Sequence, residues 1–217
     1  GIRAAARAGV ALVVRTITLR AALLVTTYAV VAGAVGDQQT VDVATHQLAM
    51  TLWTFLAFVL DAIAIAAQAI TGRYLGAGDV PGTREVTARM VRWGVVSGVV
   101  TGVLLAAASP FLGALFTGDA SVQDRLVPVL VVAAIGQPVA GVVFVLDGVL
   151  IGAGDGRYLA WAGLVVLAIY APAALLAAEA GGLVLVWVAF AGLFIAARAV
   201  VLLARMRGDA WMVTGAD

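Results

Sequence analysis

The chain has 217 residues, of which 64% are hydrophobic and 12% charged, with a mean hydropathy of +1.10. Soluble domains run at roughly 45 to 50% apolar and 25% charged residues, so this composition describes an integral membrane protein. Thirteen basic residues, all arginine, against twelve acids leave no broad basic surface for nucleic acid, and the absence of cysteine excludes disulfides, thiolate nucleophiles and cysteine metal sites.

A helix rising 1.5 Å per residue needs about 20 apolar residues to cross a hydrocarbon core about 30 Å thick. Six segments qualify, near residues 9–34, 44–71, 87–109, 123–150, 158–178 and 182–204. They exceed strand length and lack the alternation of barrel strands. The expected fold is therefore all-α, a single transmembrane lobe over residues 1–217.

The first segment starts at Gly1 rather than Met and is flanked by Arg3 and Arg7, the expected pattern of a piece of a longer chain. Arg15 and Arg20 interrupt its apolar run, which argues for a spanning helix rather than a signal peptide. The turn GDQQTVD at 36–42 leads into the second helix, where Gln47, Thr54, Asp61 and Gln68 recur every seven residues. Each step drifts only about 20° around a helix, so the four form one polar stripe expected to face the bundle interior or a wet cavity. The neutral members serve equally as hydrogen-bonding glue between helices. His46, the only histidine, is expected near the outer interface and excludes a multi-histidine metal site. No partner base is expected near Ser97, so no enzyme chemistry is expected either.

GAGDVPGTR at 76–84 separates the second and third helices, and SPFLGALFTGDAS at 109–121 the third and fourth. The fourth helix carries Pro128 and Pro138, which make it either a bent moving part or a static kink. Beside Pro138 stands Gln137, grouped with the stripe as a cavity residue or ion-pair partner. Asp147 is the only charge between Leu126 and Gly154. A carboxylate at membrane depth costs roughly 2.5 to 3.5 kcal/mol on insertion scales, so it is either paired or functional. For Asp147 and Asp61 two readings stand: a fixed ion pair with Arg15 or Arg20, or a reversible proton acceptor. GAGDGR at 152–157 and EAGG at 179–182 bound the fifth helix, and the first GAGD turn echoes the second. Arginines gather at the chain start, the second and fourth turns and the chain end, whereas the other turns carry only Arg125. By the positive-inside rule both termini are expected to be cytoplasmic.

The residues that carry a family resemblance are RTITLR at 15–20, HQLAMTLWTFLAFVLDAIAIAAQAITGRYLGAGD at 46–79, LFTGD at 115–119, QPVAGVVFVLDGVLIGAGDGRYL at 137–159 and ARMRGDAW at 204–211. Together they resemble multidrug and toxic compound extrusion transporters, in particular the DNA-damage-inducible-F-type branch. The resemblance implies a twelve-helix transporter of two six-helix lobes, of which this chain looks like the second, with the N-terminal lobe outside it. It further implies export of drugs or other amphipathic compounds in exchange for protons or sodium, across the plasma or inner membrane, without a bound cofactor. On the same resemblance Asp147 and Asp61 match acids of the tenth and eighth helices, and Arg15 a basic position of the seventh. A seventh-helix glutamate present in some relatives is missing here, which favours protons. Related alternatives are a flippase of lipid-linked precursors and a non-transporting membrane scaffold.

Overall fold

A computed structural model describes residues 2–214, and the side chains of all of these except 2–5, 7 and 8. Arg3 and Arg7, read above as basic markers of the first segment, have side chains outside the described residues. The apolar runs fold as α1 (Ile2–Ala32), α2 (Asp37–Gly76), α3 (Val80–Phe116), α4 (Ala120–Gly152), α5 (Gly156–Trp187), a π-helical stretch (Val188–Phe194) and α6 (Ile195–Met206). Most helices are longer than the apolar count alone predicts. At 1.5 Å per residue the 40 residues of α2 extend about 60 Å, twice the hydrocarbon thickness, so its ends project into the interfacial zones.

Two predicted turns are shorter than expected. The segment read as a turn from 109 to 121 is mostly helix, because α3 continues through Pro110 to Phe116 and only residues 117–119 leave the helical conformation. Asp119 then starts α4, its carboxylate accepting from the Ser121 amide at 2.8 Å. The segment read as a turn from 179 to 182 narrows to one residue, Gly182, whose φ of 62° and ψ of −149° are accessible essentially to glycine alone. That one break reverses the chain. Beyond it the Tyr158 hydroxyl donates to the Val201 carbonyl at 2.5 Å, Arg205 pairs with Asp155 at 2.6 Å, and Tyr170 lies 5.0 Å from the Phe194 ring. These contacts match residues in antiparallel order, so the apolar stretch from Gly156 to Met206 crosses twice and the lobe has six spans.

Glycines set how closely the helices approach. A side-chain carbon added at Gly94 would stand 2.6 Å from the Gly141 carbonyl oxygen, and one at Gly102 would stand 2.6 Å from that of Ala134. Between them, one at Gly98 would meet the Pro138 Cα at 2.7 Å. The four-residue spacing puts all three on one face of α3, the small-residue packing that substitutes for hydrophobic driving force inside a membrane. On another face of α4, Gly148 and Gly152 lie against the backbone of Ala64 and Gln68 in α2. Across the lobe α1 packs on α5, where the Thr26 and Tyr170 hydroxyls share a 2.5 Å hydrogen bond.

The loops gather at two ends. At one, Arg125 of α4 reaches Asp42 of α2 at 3.3 Å. At the other lie the two GAGD turns, with Gly78 and Gly154 at φ 74° and 76°. Asp79 in the first caps α3, accepting from the Gly82 amide, whereas Asp155 in the second binds Arg205 instead. Arg84 pairs with Asp209, and Trp211 is buried, so the residues after α6 fold back onto this end. Leu12 meets Gly156 here as well, which places the start of α1 and the end of α6 on the same side.

Candidate functional site: an arginine-clamped aspartate beside an open polar face

Among the helices, α4 is covered on most sides, by α2, α3 and the π-helical and α6 stretches. Asp147 lies near its end and is buried. Two guanidiniums converge on one of its oxygens: Arg15 Nη2 from α1 donates to Oδ2 at 3.0 Å, and Arg198 Nη2 from α6 donates to the same Oδ2. The side chains of Arg15, Asp147 and Arg198 are 19%, 9% and 8% exposed. Oδ1 has no hydrogen-bond partner. The Arg198 guanidinium also stands 5.9 Å from the centre of the Phe194 ring, within cation–π range. Two cations and one anion give the cluster a formal charge of +1 inside an apolar bundle.

Of the two readings of Asp147, this geometry is an ion pair with Arg15. Arg20, the other candidate partner, is exposed and makes no ion pair among the described residues. Arg198 was missed. The signal was present, since it is the only charge in the sequence from Leu183 to Ala204 and burial of a lone arginine raises the same question as burial of a lone aspartate. Asp61 is exposed and has no ion-pair partner among the described residues, so its reading as a fixed pair does not hold in this conformation. It nevertheless lies within electrostatic reach of both Arg15 and Asp147.

The polar stripe of α2 does not face the core of this lobe. Gln47, Asp61 and Gln68 are exposed and Thr54 is half-buried, so the stripe lies on the open side. Gln47 and Thr54 line a groove of about 460 Å³ together with Thr27, Thr51 and His46, while Met50, Phe55 and Phe58 supply its apolar wall. His46 is buried against its neighbours, with Nε2 3.0 Å from the Thr27 hydroxyl and its ring edge-on to Trp187 at 5.8 Å. Its place in α2 opposite α1 decides this, because hydropathy locates a residue by depth and not by which neighbour covers it. Gln137 is a correction. It is buried in the α3–α4 contact, 3.5 Å from the Thr101 hydroxyl, and so does not line the open face. Pro128 and Pro138 both lie inside α4, which continues unbroken from Ala120 to Gly152.

Six apolar helical segments, a clamped charge in their interior and one open polar face define a multi-pass helical membrane bundle. The MatE family pattern matches residues 17–176, and the chain belongs to that family. It is 29% identical over 183 residues to Protein DETOXIFICATION 45, chloroplastic, of Arabidopsis thaliana, covering 80% of this chain and 31% of that protein. With Protein DETOXIFICATION 44, chloroplastic, of the same plant it shares 32% identity over 155 residues, 71% of this chain and 29% of that one. Its fold resembles that of an outward-facing multidrug resistance MATE family transporter of the MOP superfamily, with a TM-score of 0.81 at 15% identity, covering 98% of this chain and 47% of that one. A MOP superfamily transporter from Pyrococcus furiosus gives a TM-score of 0.79 at 16% identity, covering 94% and 44%. The chain thus spans about a third of the curated relatives it matches and a little under half of the solved transporters.

Proposed function

We propose that this lobe forms one half of a secondary antiporter that exports drugs or other amphipathic organic compounds in exchange for protons or sodium by alternating access. The observation that carries the reading is the open face: an apolar lobe exposes on one side a polar stripe that includes Asp61, and Gln47 and Thr54 of that stripe line a groove of about 460 Å³. A polar stripe against lipid would be costly, so a second six-helix lobe and a wet cavity between the two account for it. The groove offers hydroxyls, an amide and two phenyl rings, which suits compounds with both aromatic surface and polar groups. A lipid-precursor flippase would want a more basic cavity, and here two of the three nearby arginines are committed to Asp147.

In this mechanism the coupling cation acts on the carboxylates. A proton on Asp147 removes the charge that Arg15 and Arg198 share. Arg15, the more exposed of the two, then turns towards Asp61 and changes the charge facing the cavity, which biases rocking of the lobes. The membrane is the plasma or inner membrane with both chain ends cytoplasmic, supported by arginine at the end of the bundle that holds the GAGD turns, the start of α1 and the end of α6. Everted vesicles carrying the full-length protein test the reading: ethidium transport should follow an imposed cation gradient and collapse in Asp147→Asn. Undiminished gradient-driven transport in that variant would refute the role given to Asp147.

A further inference from the structure

The Asp147 cluster bears on which cation the antiporter can use, an inference that rests on the antiport reading above. Both guanidinium contacts fall on Oδ2, so this oxygen is occupied by two donors, while Oδ1 is buried and bare. The space beside the pair is a cavity of about 10 Å³, lined by Leu159, Ala162, Gly163 and Val166 of α5 and by Val201 and Leu202 of α6. That is room for one water molecule at most. Its lining side chains offer no oxygen besides Asp147. A metal cation entering here has to exchange its hydration shell for several oxygen ligands and would find one.

The charges point the same way. Facing Asp147 are Arg15 from α1 and Arg198 from α6 in direct contact, Asp61 from α2 further off, and only apolar side chains from α5. On α3 the close contacts with α4 run from Gly102 against Ala134 to Gly94 against Gly141 and Val145, and none of these α3 positions carries a charge. The buried trio carries a formal +1, which opposes the arrival of any cation. A metal ion has too few oxygen ligands here to offset that repulsion, whereas a proton offsets it by forming a covalent O–H bond on Oδ1, needs no ligand sphere and fits the space. Arg15 is the partially exposed member of the clamp and can be released, whereas Arg198 is sealed against Phe194 and stays.

We propose that Arg198 is a specificity-determining residue that occupies Oδ2 of Asp147 and adds the positive charge which together close the site to metal cations, leaving Oδ1 to take a proton. It acts through Asp147 and touches no substrate. Replacing it by glutamine lowers the trio's charge to zero and leaves Oδ2 with Arg15 alone; replacing it by lysine keeps a cation on Oδ2.

The test uses the full-length protein in liposomes, with ethidium as the transported probe and either a proton or a sodium gradient imposed alone. For the wild-type protein a sodium gradient should drive less than about a tenth of the proton-driven rate, and Arg198→Gln should raise the sodium-driven rate about threefold or more, as expected when a charge barrier to a buried site is lowered. Arg198→Lys should stay as sodium-insensitive as wild type, which a purely structural role for Arg198 would not require. Sodium-driven efflux by the wild type overturns the proposal even if Arg198→Gln does not fold. So does a well-folded Arg198→Gln protein whose sodium response is unchanged. Efflux under neither gradient removes the antiport reading itself and the proposal with it, an outcome distinct from sodium-driven efflux.

Discussion

The arginine clamp makes a quantitative prediction about stability. Asp147→Asn preserves the size of the side chain and removes its charge, leaving the guanidiniums of Arg15 and Arg198 facing one another with no counter-ion. Arg15, 19% exposed, can turn towards the open face, but Arg198, 8% exposed and enclosed by α4, α5 and Phe194, has nowhere to go. Stranding one buried member of an ion pair costs about 3 to 5 kcal/mol. Replacing both members by groups of similar volume is far milder, so adding Arg198→Met to Asp147→Asn should restore most of the loss. Equilibrium unfolding of the full-length protein in mixed micelles, run as a double-mutant cycle, measures both effects; directly contacting residues typically couple by about 0.5 to 3 kcal/mol, and this pair should lie at the upper end or beyond. A loss below about 1 kcal/mol for Asp147→Asn, or no recovery on adding Arg198→Met, would show that the clamp is not a buried ion pair in the folded protein, because a solvated pair is worth only about that much.

Two further substitutions probe how the lobe is held together. Gly98→Ala should destabilise by about 1 to 3 kcal/mol in the same unfolding assay, since the new methyl meets the Pro138 backbone rather than a side chain that can yield, whereas Gly76→Ala, with open space at that position, should be neutral or slightly stabilising. Asp155→Asn, which breaks a pair with side chains 13% and 26% exposed, should cost measurably more than Arg84→Ala, whose pair with Asp209 is largely exposed and worth about 0 to 1 kcal/mol; equal losses would refute the view that the second GAGD turn is anchored by Arg205.

Much of the architecture was legible from local rules. Long apolar runs without alternation can satisfy their backbone in lipid only as helices, glycines mark the turns, and a lone Asp147 in such a run advertises itself by its desolvation cost. Those are properties of a segment and its solvent, and neighbours do not alter them. The end of the third helix is hidden in the sequence because Pro110 reads as a breaker, yet α3 carries it and runs on to Phe116. Membrane helices tolerate an interior proline when neighbours or water take up the freed carbonyl.

Composition and residue spacing alone establish that this is a membrane lobe of six apolar spans, that Gln47, Thr54, Asp61 and Gln68 share one side of a helix, and that Asp147 needs an explanation. Helical periodicity places residues around their own axis, and hydropathy reports depth. Neither says which neighbour covers a given side. It takes the packing of the helices to show that the stripe opens outward, that His46 and Gln137 are enclosed, and that Asp147 answers to Arg198, 51 residues further along the chain, as well as to Arg15, 132 residues before it. Pairings at that separation follow from how glycine-lined helices stack and from the reversal at Gly182, which bring together charges that no local rule connects.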